Sequence, residues 1–249
     1  MGKLGKHMLD WVFRRFWPYK VYGAEHLPRE GAAVVVSNHA SYLDGVLLYI
    51  VLPRTPRFIV WTQHYEEALL GWLYRRLKAI PVDGWRTEAV PIGQEAYRTA
   101  KQHLESGGLL AVFPEGGRTP DGRFMCWRTG AARLALATGA PMVPITINGL
   151  YEAWPIYQER PHRRPIEVIV HPPVSPEPFL SIRRRRVAAL EMTRHVRNIV
   201  ASAYRLPPAE YAPPPGWKSP HPDLPCPLAR FDDSPPPYGR NLRHNGSVA

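Results

Sequence analysis

A histidine and an aspartate five positions apart follow shortly after three consecutive valines. The two residues are His39 and Asp44, within the segment Asn-His-Ala-Ser-Tyr-Leu-Asp at residues 38–44. The valines occupy positions 34–36. On one regular helix two residues with this spacing would point about 140° apart and could not pair. One of them must therefore precede the helix. Asp44 in the first helical turn can then fold back onto the imidazole of His39, and such a pair acts as a general base towards a substrate hydroxyl.

A purely structural interpretation of the same segment stays open at this point. In that interpretation Asn38 or Ser41 caps the helix. Asp44 favours the positive end of the helix dipole, and His39 is an ordinary turn residue. A second motif favours the catalytic interpretation.

The second motif is Phe-Pro-Glu-Gly-Gly-Arg-Thr at residues 113–119, which again follows an apolar strand, residues 109–112. The carboxyl ends of parallel strands meet at one edge of a sheet. We therefore expect this loop and His39 to face the same pocket.

The residues of this second loop suit an anionic substrate. Gly116 and Gly117 let the backbone approach a ligand, and Arg118 offers a fork of donors that matches a phosphate. Glu115 could accept a hydrogen bond from a glycerol hydroxyl or hold Arg118 in place. Taken alone, the loop could also be a plain turn with a solvated Glu-Arg pair.

The elements around the two motifs predict an α/β fold: a single domain with a mostly parallel central sheet flanked by helices. Short runs rich in valine and isoleucine predict strands at residues 33–37, 57–61, 79–82, 109–113, 142–147 and 166–170. Apolar residues at intervals of three or four predict helices at residues 43–52, 66–77, 88–106, 129–138 and 182–204.

Three parts of the chain differ in composition. Residues 1–20 contain an amphipathic basic helix over 3–17, and residues 21–205 form the α/β domain. Residues 206–249 are rich in proline and predict an extended or disordered tail. The helix could lie in the headgroup region of a membrane, or its apolar face could pack on the core of the protein. Its apolar face comprises Leu4, Met8, Trp11, Val12, Phe16 and Trp17.

Overall charge indicates the class of partner. The 249 residues carry a formal net charge of +11, which favours anionic partners such as phosphates, anionic lipids, an acyl-carrier protein or nucleic acid. Four consecutive arginines at 183–186 fit a solvated or lipid-facing helix end, and the absence of a groove-reading pattern argues against a nucleic-acid partner. Cys126 and Cys226 lack the close Cys or His neighbours of a zinc site, so no metal is expected. No apolar run is long enough to span a bilayer, and we expect a peripheral, monotopic protein on the cytoplasmic face of the membrane.

The two motifs resemble those of the 1-acylglycerol-3-phosphate acyltransferase family, within the glycerolipid (lysophospholipid) acyltransferase superfamily. The first block of that family, Asn-His followed by four residues and Asp, matches residues 38–44. Its third block, Phe-Pro-Glu-Gly-Thr-Arg, matches residues 113–118, with Gly117 where threonine is usual. Its Val-Pro step resembles residues 143–145, and residues 21–28 are similar to the segment before its first strand.

The resemblance implies an O-acyltransferase of phospholipid biosynthesis without a cofactor. An acyl group would pass from acyl-CoA or acyl-carrier protein to the free hydroxyl of 1-acylglycerol 3-phosphate, with His39 as base and Asp44 as its support. Asn38, Ser41, Glu115, Gly116, Gly117 and Arg118 would contact the substrate. The second block of the family ends in an arginine directly after an aspartate, whereas here Gly84 and Trp85 separate Asp83 from Arg86, the nearest candidate for the phosphate contact.

Other acceptors stay open on this basis. Another lysophospholipid, glycerol 3-phosphate or an amino-lipid precursor could use the same base. A catalytically silent module that binds membranes is the alternative outside the enzyme class.

Overall fold

A computed structural model describes residues 3–66, 68–82 and 93–214. These residues contain one seven-stranded sheet with the strand order β1-β7-β6-β2-β5-β3-β4. Its strands are β1 (Tyr19–Tyr22), β2 (Ala33–Ser37), β3 (Arg57–Trp61), β4 (Ile80–Val82), β5 (Leu109–Val112), β6 (Met142–Asn148) and β7 (Ile166–Val170).

The sheet is parallel through its centre and changes direction at one side. Strands β6, β2, β5, β3 and β4 all run the same way, whereas β7 is antiparallel to β6 and carries β1 parallel to itself. The prediction of a mostly parallel sheet in an α/β domain is thereby confirmed.

Helices cover both faces of the sheet. Within the described ranges they are α1 (Lys3–Phe16), α2 (Asp44–Val51), α3 (Thr62–Glu66), α4 (Ala68–Arg76), α5 (Gln94–Glu105), α6 (Gly130–Thr138), α7 (Leu150–Ala153), α8 (Glu177–Leu180) and α9 (Arg185–Ala203). Val35 on one face packs with residues of α1, α2 and α7. Val34 and Val36 on the other face pack with residues of α5, α6 and α9. Both faces of β2 are therefore buried, which is why its sequence is continuously apolar rather than alternating.

Predicted and observed elements differ where tertiary packing decides. Residues 66–77 predict one helix, and the described residues on either side of position 67, which lies outside the described residues, are helical as α3 and α4. Strand β1 was missed because a four-residue strand at the border of the sheet has too few residues to show a period. Helix α5 begins at Gln94 in the described part of the chain, and residues 88–92 of the predicted helix lie outside the described residues.

Helix α1 fits both of the interpretations that its sequence allows. Phe13 is 2% exposed and belongs to the core. Leu4, Met8 and Trp11 occupy the opposite side of the helix, because nine residues at about 100° each separate Leu4 from Phe13 by half a turn. Their exposed fractions are 84%, 66% and 71%. The helix therefore packs on the domain through one apolar side and presents a second one to the surroundings.

The start of the predicted tail contacts the domain. The hydroxyl of Tyr157 donates a hydrogen bond to the carbonyl of Tyr211 at 2.7 Å, within a short 3₁₀ turn at Ala209–Tyr211. Residues 215–249, the remainder of that tail, lie outside the described residues. Within the described ranges no helix combines the length and the apolar composition needed to cross a bilayer.

Candidate active site

The two motifs leave the same edge of the sheet from neighbouring strands. Val36 is in register with Val112 of the parallel strand β5, and Ser37 is in register with Ile145 of β6 on the other side. The loop after β2 therefore begins at the centre of the parallel region, beside the loop after β5. This juxtaposition agrees with the expectation from the sequence.

A short hydrogen bond joins His39 to Asp44. The imidazole Nδ1 lies 2.7 Å from Oδ2 of the carboxylate. His39 belongs to the loop before α2, and Asp44 is the first residue of that helix, as the angular argument requires. The side chain of Asp44 is fully buried, whereas 22% of the histidine side chain is exposed. If Nδ1 donates its proton to Asp44, Nε2 carries the lone pair that a general base needs.

Two backbone amides hold the carboxylate of Asp44 in addition to the histidine. The amides of Ala40 and Ser41 donate hydrogen bonds to the same Oδ2, at 2.6 and 2.8 Å. Asp44 thus closes the loop onto the start of α2 and satisfies two backbone donors of the loop that precedes the helix. Three donors on one oxygen suit a carboxylate, and the site holds it without help from a substrate.

The loop of residues 113–119, which follows β5, holds His39 in place. The ring of Phe113 stacks on the ring of His39, with centroids 4.1 Å apart and planes at 15°. Oε1 of Glu115 accepts a hydrogen bond from the backbone amide of His39 at 3.1 Å. The amide of Thr119 donates to the carbonyl of His39 at 2.8 Å. The backbone and ring of His39 are therefore held by side chains and backbone of one loop.

Glu115 is buried beside the histidine. Burial raises the pKa of its carboxyl well above the usual range, the His39 amide opposes this effect, and the charge of Asp44 adds to it. The raised pKa favours the uncharged acid at Glu115 and leaves the negative charge beside the imidazole to Asp44. Contact of Glu115 with a substrate hydroxyl stays a prediction; in the structure its carboxyl holds the catalytic loop.

Arg118 provides the cation of the site. Its guanidinium carbon lies 3.5 Å from the ring centroid of Tyr42, and its Nη1 is buried without a hydrogen-bond partner among the described residues. Gly116 has a φ of 76°, and a Cβ there would approach Nε of Arg128 to 2.9 Å. Both observations explain the glycine, and Gly117 is buried next to it. The tight turn through these glycines carries Arg118 back towards the loop of His39.

Asn38 and Ser41 connect the catalytic loop to other elements. The side-chain amide of Asn38 forms two hydrogen bonds with the backbone of Ile147. Its Nδ2 donates to the carbonyl at 2.9 Å, and its Oδ1 accepts from the backbone N–H at 2.8 Å, which continues the pairing of β2 with β6. The hydroxyl of Ser41 donates to the carbonyl of Trp154 at 3.0 Å and accepts from the amide of Leu43 at 3.3 Å. Direct substrate contact by Asn38 and Ser41 stays a prediction, while in the structure both position the loop.

Two further predictions concern Arg86 and metals. Arg86 lies outside the described residues. Across the part of the chain that the structure describes, no three side chains among histidine, cysteine, aspartate and glutamate are grouped to hold a metal ion.

Sequence patterns assigned no role to three aromatic residues of the site. Phe113 supports the imidazole, Tyr42 stacks on Arg118, and Trp154 lies 5.1 Å from the ring of Tyr42. Phe113 and Tyr42 lie inside the two motifs, so their positions were a usable signal. Trp154 follows the four-residue helix α7, which no periodicity could reveal.

A histidine supported by a buried carboxylate, with an arginine beside it at the carboxyl edge of a parallel sheet, is an arrangement that can activate a substrate hydroxyl near an anionic group. The chain belongs to the acyltransferase family, whose model matches residues 18–148, more than half of the chain. The prediction of an O-acyltransferase of this family is thereby confirmed.

Named relatives and a solved structure agree with this membership. The chain is 28% identical over 206 residues to the 1-acyl-sn-glycerol-3-phosphate acyltransferase of Limnanthes douglasii, covering 81% of this chain and 71% of that protein. It is 30% identical over 162 residues to the chloroplastic 1-acyl-sn-glycerol-3-phosphate acyltransferase LPAT1 of Arabidopsis thaliana, covering 64% of this chain and 44% of that protein. The crystal structure of the 1-acyl-sn-glycerophosphate (LPA) acyltransferase PlsC from Thermotoga maritima superposes with a TM-score of 0.59 at 28% identity, over 79% of this chain and 77% of that one.

Proposed function

We propose that the protein transfers a fatty acyl group from the thioester of acyl-CoA or acyl-carrier protein to the free hydroxyl of 1-acylglycerol 3-phosphate, giving phosphatidate. The observation that carries this proposal is the His39–Asp44 pair, 2.7 Å apart, beside an arginine whose buried Nη1 has no hydrogen-bond partner among the described residues. A phosphate satisfies such a guanidinium better than a neutral headgroup does.

The chemistry follows from the two ends of the imidazole. Nε2 of His39 accepts the proton of the acceptor hydroxyl while the oxygen of that hydroxyl attacks the thioester carbonyl carbon. Asp44 stabilises the resulting imidazolium through Nδ1. The carbon–sulfur bond breaks, and the thiolate takes the proton from Nε2. An ester and a free thiol result, and the histidine returns to its starting form without a covalent acyl-enzyme.

Acceptor profiling tests the proposal. The purified protein is incubated with labelled acyl-CoA or acyl-carrier protein and with 1-acylglycerol 3-phosphate, other lysophospholipids, glycerol 3-phosphate or monoacylglycerol, and the products are identified by mass. We expect phosphatidate as the main product. Monoacylglycerol lacks only the phosphate, and kcat/KM should be lower for it by about 10- to 100-fold, the value of a hydrogen-bonded charge pair. A preference for another lysophospholipid, for glycerol 3-phosphate or for the neutral lipid would contradict the proposed acceptor.

Helix α1 supports a location on the membrane surface. The indole of Trp17, just after α1, donates to the carbonyl of His162, and the amide of His162 donates to the carbonyl of Ala153. The next residue, Trp154, accepts the hydroxyl of Ser41 in the catalytic loop. These hydrogen bonds connect the C-terminal end of α1 to the loop of His39, and a helix lying in the headgroup region would bring that loop near the membrane surface.

Vesicle binding checks this location. Removing the whole helix would also remove Phe13 from the core, so substitutions on its exposed side are the better test. We expect Leu4→Glu and Trp11→Glu each to lower partitioning onto anionic vesicles by at least about tenfold, because each removes a large apolar side chain from the interface. Leu180→Glu is the matched control, since Leu180 is a 58% exposed leucine on α8. If flotation is equal for all three variants and the unchanged protein, α1 is not the anchor.

A further inference from the structure

Tyr42 holds Arg118 in the site, although neither composition nor spacing gives it a role. The guanidinium carbon of Arg118 lies 3.5 Å from the centroid of the Tyr42 ring. Trp154 contacts the same ring at 5.1 Å and 45°. The tyrosine ring therefore contacts both an arginine and a tryptophan while 48% of the residue stays exposed.

The backbone that carries Tyr42 is fixed to the catalytic pair. Asp44 binds the amides of Ala40 and Ser41, and Ser41 binds both the amide of Leu43 and the carbonyl of Trp154. Tyr42 lies between these anchored residues. Its ring therefore has a defined place relative to His39, and a cation resting on the ring acquires a defined place as well.

Stacking also leaves the donors of the arginine free. A guanidinium is planar, so contact through its face uses none of its N–H groups, which point outwards in the plane. Nη1 of Arg118 indeed has no hydrogen-bond partner among the described residues. Without the ring, Arg118 would have several rotamers to lose on binding an anion.

We propose that Tyr42 is a positioning residue that presents Arg118 to the phosphate of the acceptor and thereby sets the KM for phosphorylated acceptors. This inference rests on the proposed function. It assigns to Tyr42 the orientation of the cation, and it leaves proton transfer to His39.

A double-mutant cycle on acceptor KM tests the inference. Tyr42→Leu should raise KM for 1-acylglycerol 3-phosphate by about 5- to 30-fold, the range of a partly desolvated cation–π contact, with kcat changed less than about twofold. Tyr42→Phe keeps the ring, so its KM should stay within about threefold of that of the unchanged protein. In Arg118→Leu the cation is absent, so adding Tyr42→Leu should raise KM no further.

The outcomes separate this inference from the proposed function. An unchanged KM in Tyr42→Leu, or additive effects of the two leucine substitutions, overturns the role of Tyr42 while the proposed function stands. A fall in kcat alone overturns it too, because the ring would then be supporting the loop of His39. If the unchanged protein does not acylate 1-acylglycerol 3-phosphate, both the function and the inference are wrong. Thermal unfolding of each variant verifies that the domain is intact.

Discussion

His39→Ala is expected to lower kcat for acyl transfer by at least about 10³-fold, the largest effect of any single substitution in the site. The imidazole is the only side chain in the described site that both reaches the surface and pairs with a buried carboxylate, with Nδ1 2.7 Å from Asp44. Without it, the acceptor hydroxyl must lose its proton to water in the transition state. The measurement is steady-state release of free thiol with saturating 1-acylglycerol 3-phosphate.

Two controls separate lost chemistry from lost structure. His195→Ala removes an exposed histidine from α9 and should leave kcat unchanged. Partitioning of His39→Ala onto vesicles should equal that of the unchanged protein, because the exposed side of α1 does not involve the site. If His39→Ala keeps most of its activity, the proposed base is wrong, and a silent membrane-binding module becomes the better description if the unchanged protein is inactive as well.

Asp44→Asn is expected to lower kcat by about 10²- to 10³-fold while the protein still folds. The amides of Ala40 and Ser41 both require an acceptor at the position of Oδ2. We therefore expect the amide oxygen of asparagine to take that position and to keep Nδ1 of His39 as a donor. What disappears is the negative charge that stabilises the imidazolium. The new NH₂ group replaces Oδ1, which is buried and has no hydrogen-bond partner among the described residues.

Kinetics and unfolding together distinguish the two roles of Asp44. Burying an unpaired NH₂ group should lower the free energy of unfolding by about 1–3 kcal/mol in Asp44→Asn. Asp44→Ala removes the acceptor of both backbone amides as well. Its free energy of unfolding should therefore fall below that of Asp44→Asn, and its kcat should be no higher than that of Asp44→Asn. Equal kcat for Asp44→Asn and the unchanged protein would show that the carboxylate acts only as a structural cap.

The sequence predicted the bounds of β2 and β7 because the patterns that indicate a strand are local. Three buried valines in a row are typical of a strand covered on both faces, and β2 and β7 have the bounds that the patterns indicated. The antiparallel direction of β7 was not predictable in the same way. Whether a strand runs parallel depends on the path of the connection that precedes it, and residues 149–165 carry no period that reveals this path.

The roles of individual site residues were only partly predictable. Residue types and a spacing of five identified His39 and Asp44, since that chemistry needs those groups close together. The resemblance implies substrate contact by Asn38, which stays a prediction, and the structure adds that its side-chain amide bonds to Ile147, 109 residues further along the chain. No local pattern contains the partner of a side chain whose contact spans such a distance.

The sequence by itself determined the chemistry available to this protein: an imidazole and a carboxylate after one strand, and a glutamate and an arginine after another. Tertiary structure decided how these groups act. Pairing of β2 with β5 brought the loops together, burial raised the pKa of Glu115, and stacking placed Arg118 on Tyr42. The physical reason is that desolvation, ring contacts and hydrogen bonds depend on which residues are neighbours in space. The packing of the whole domain determines those neighbours.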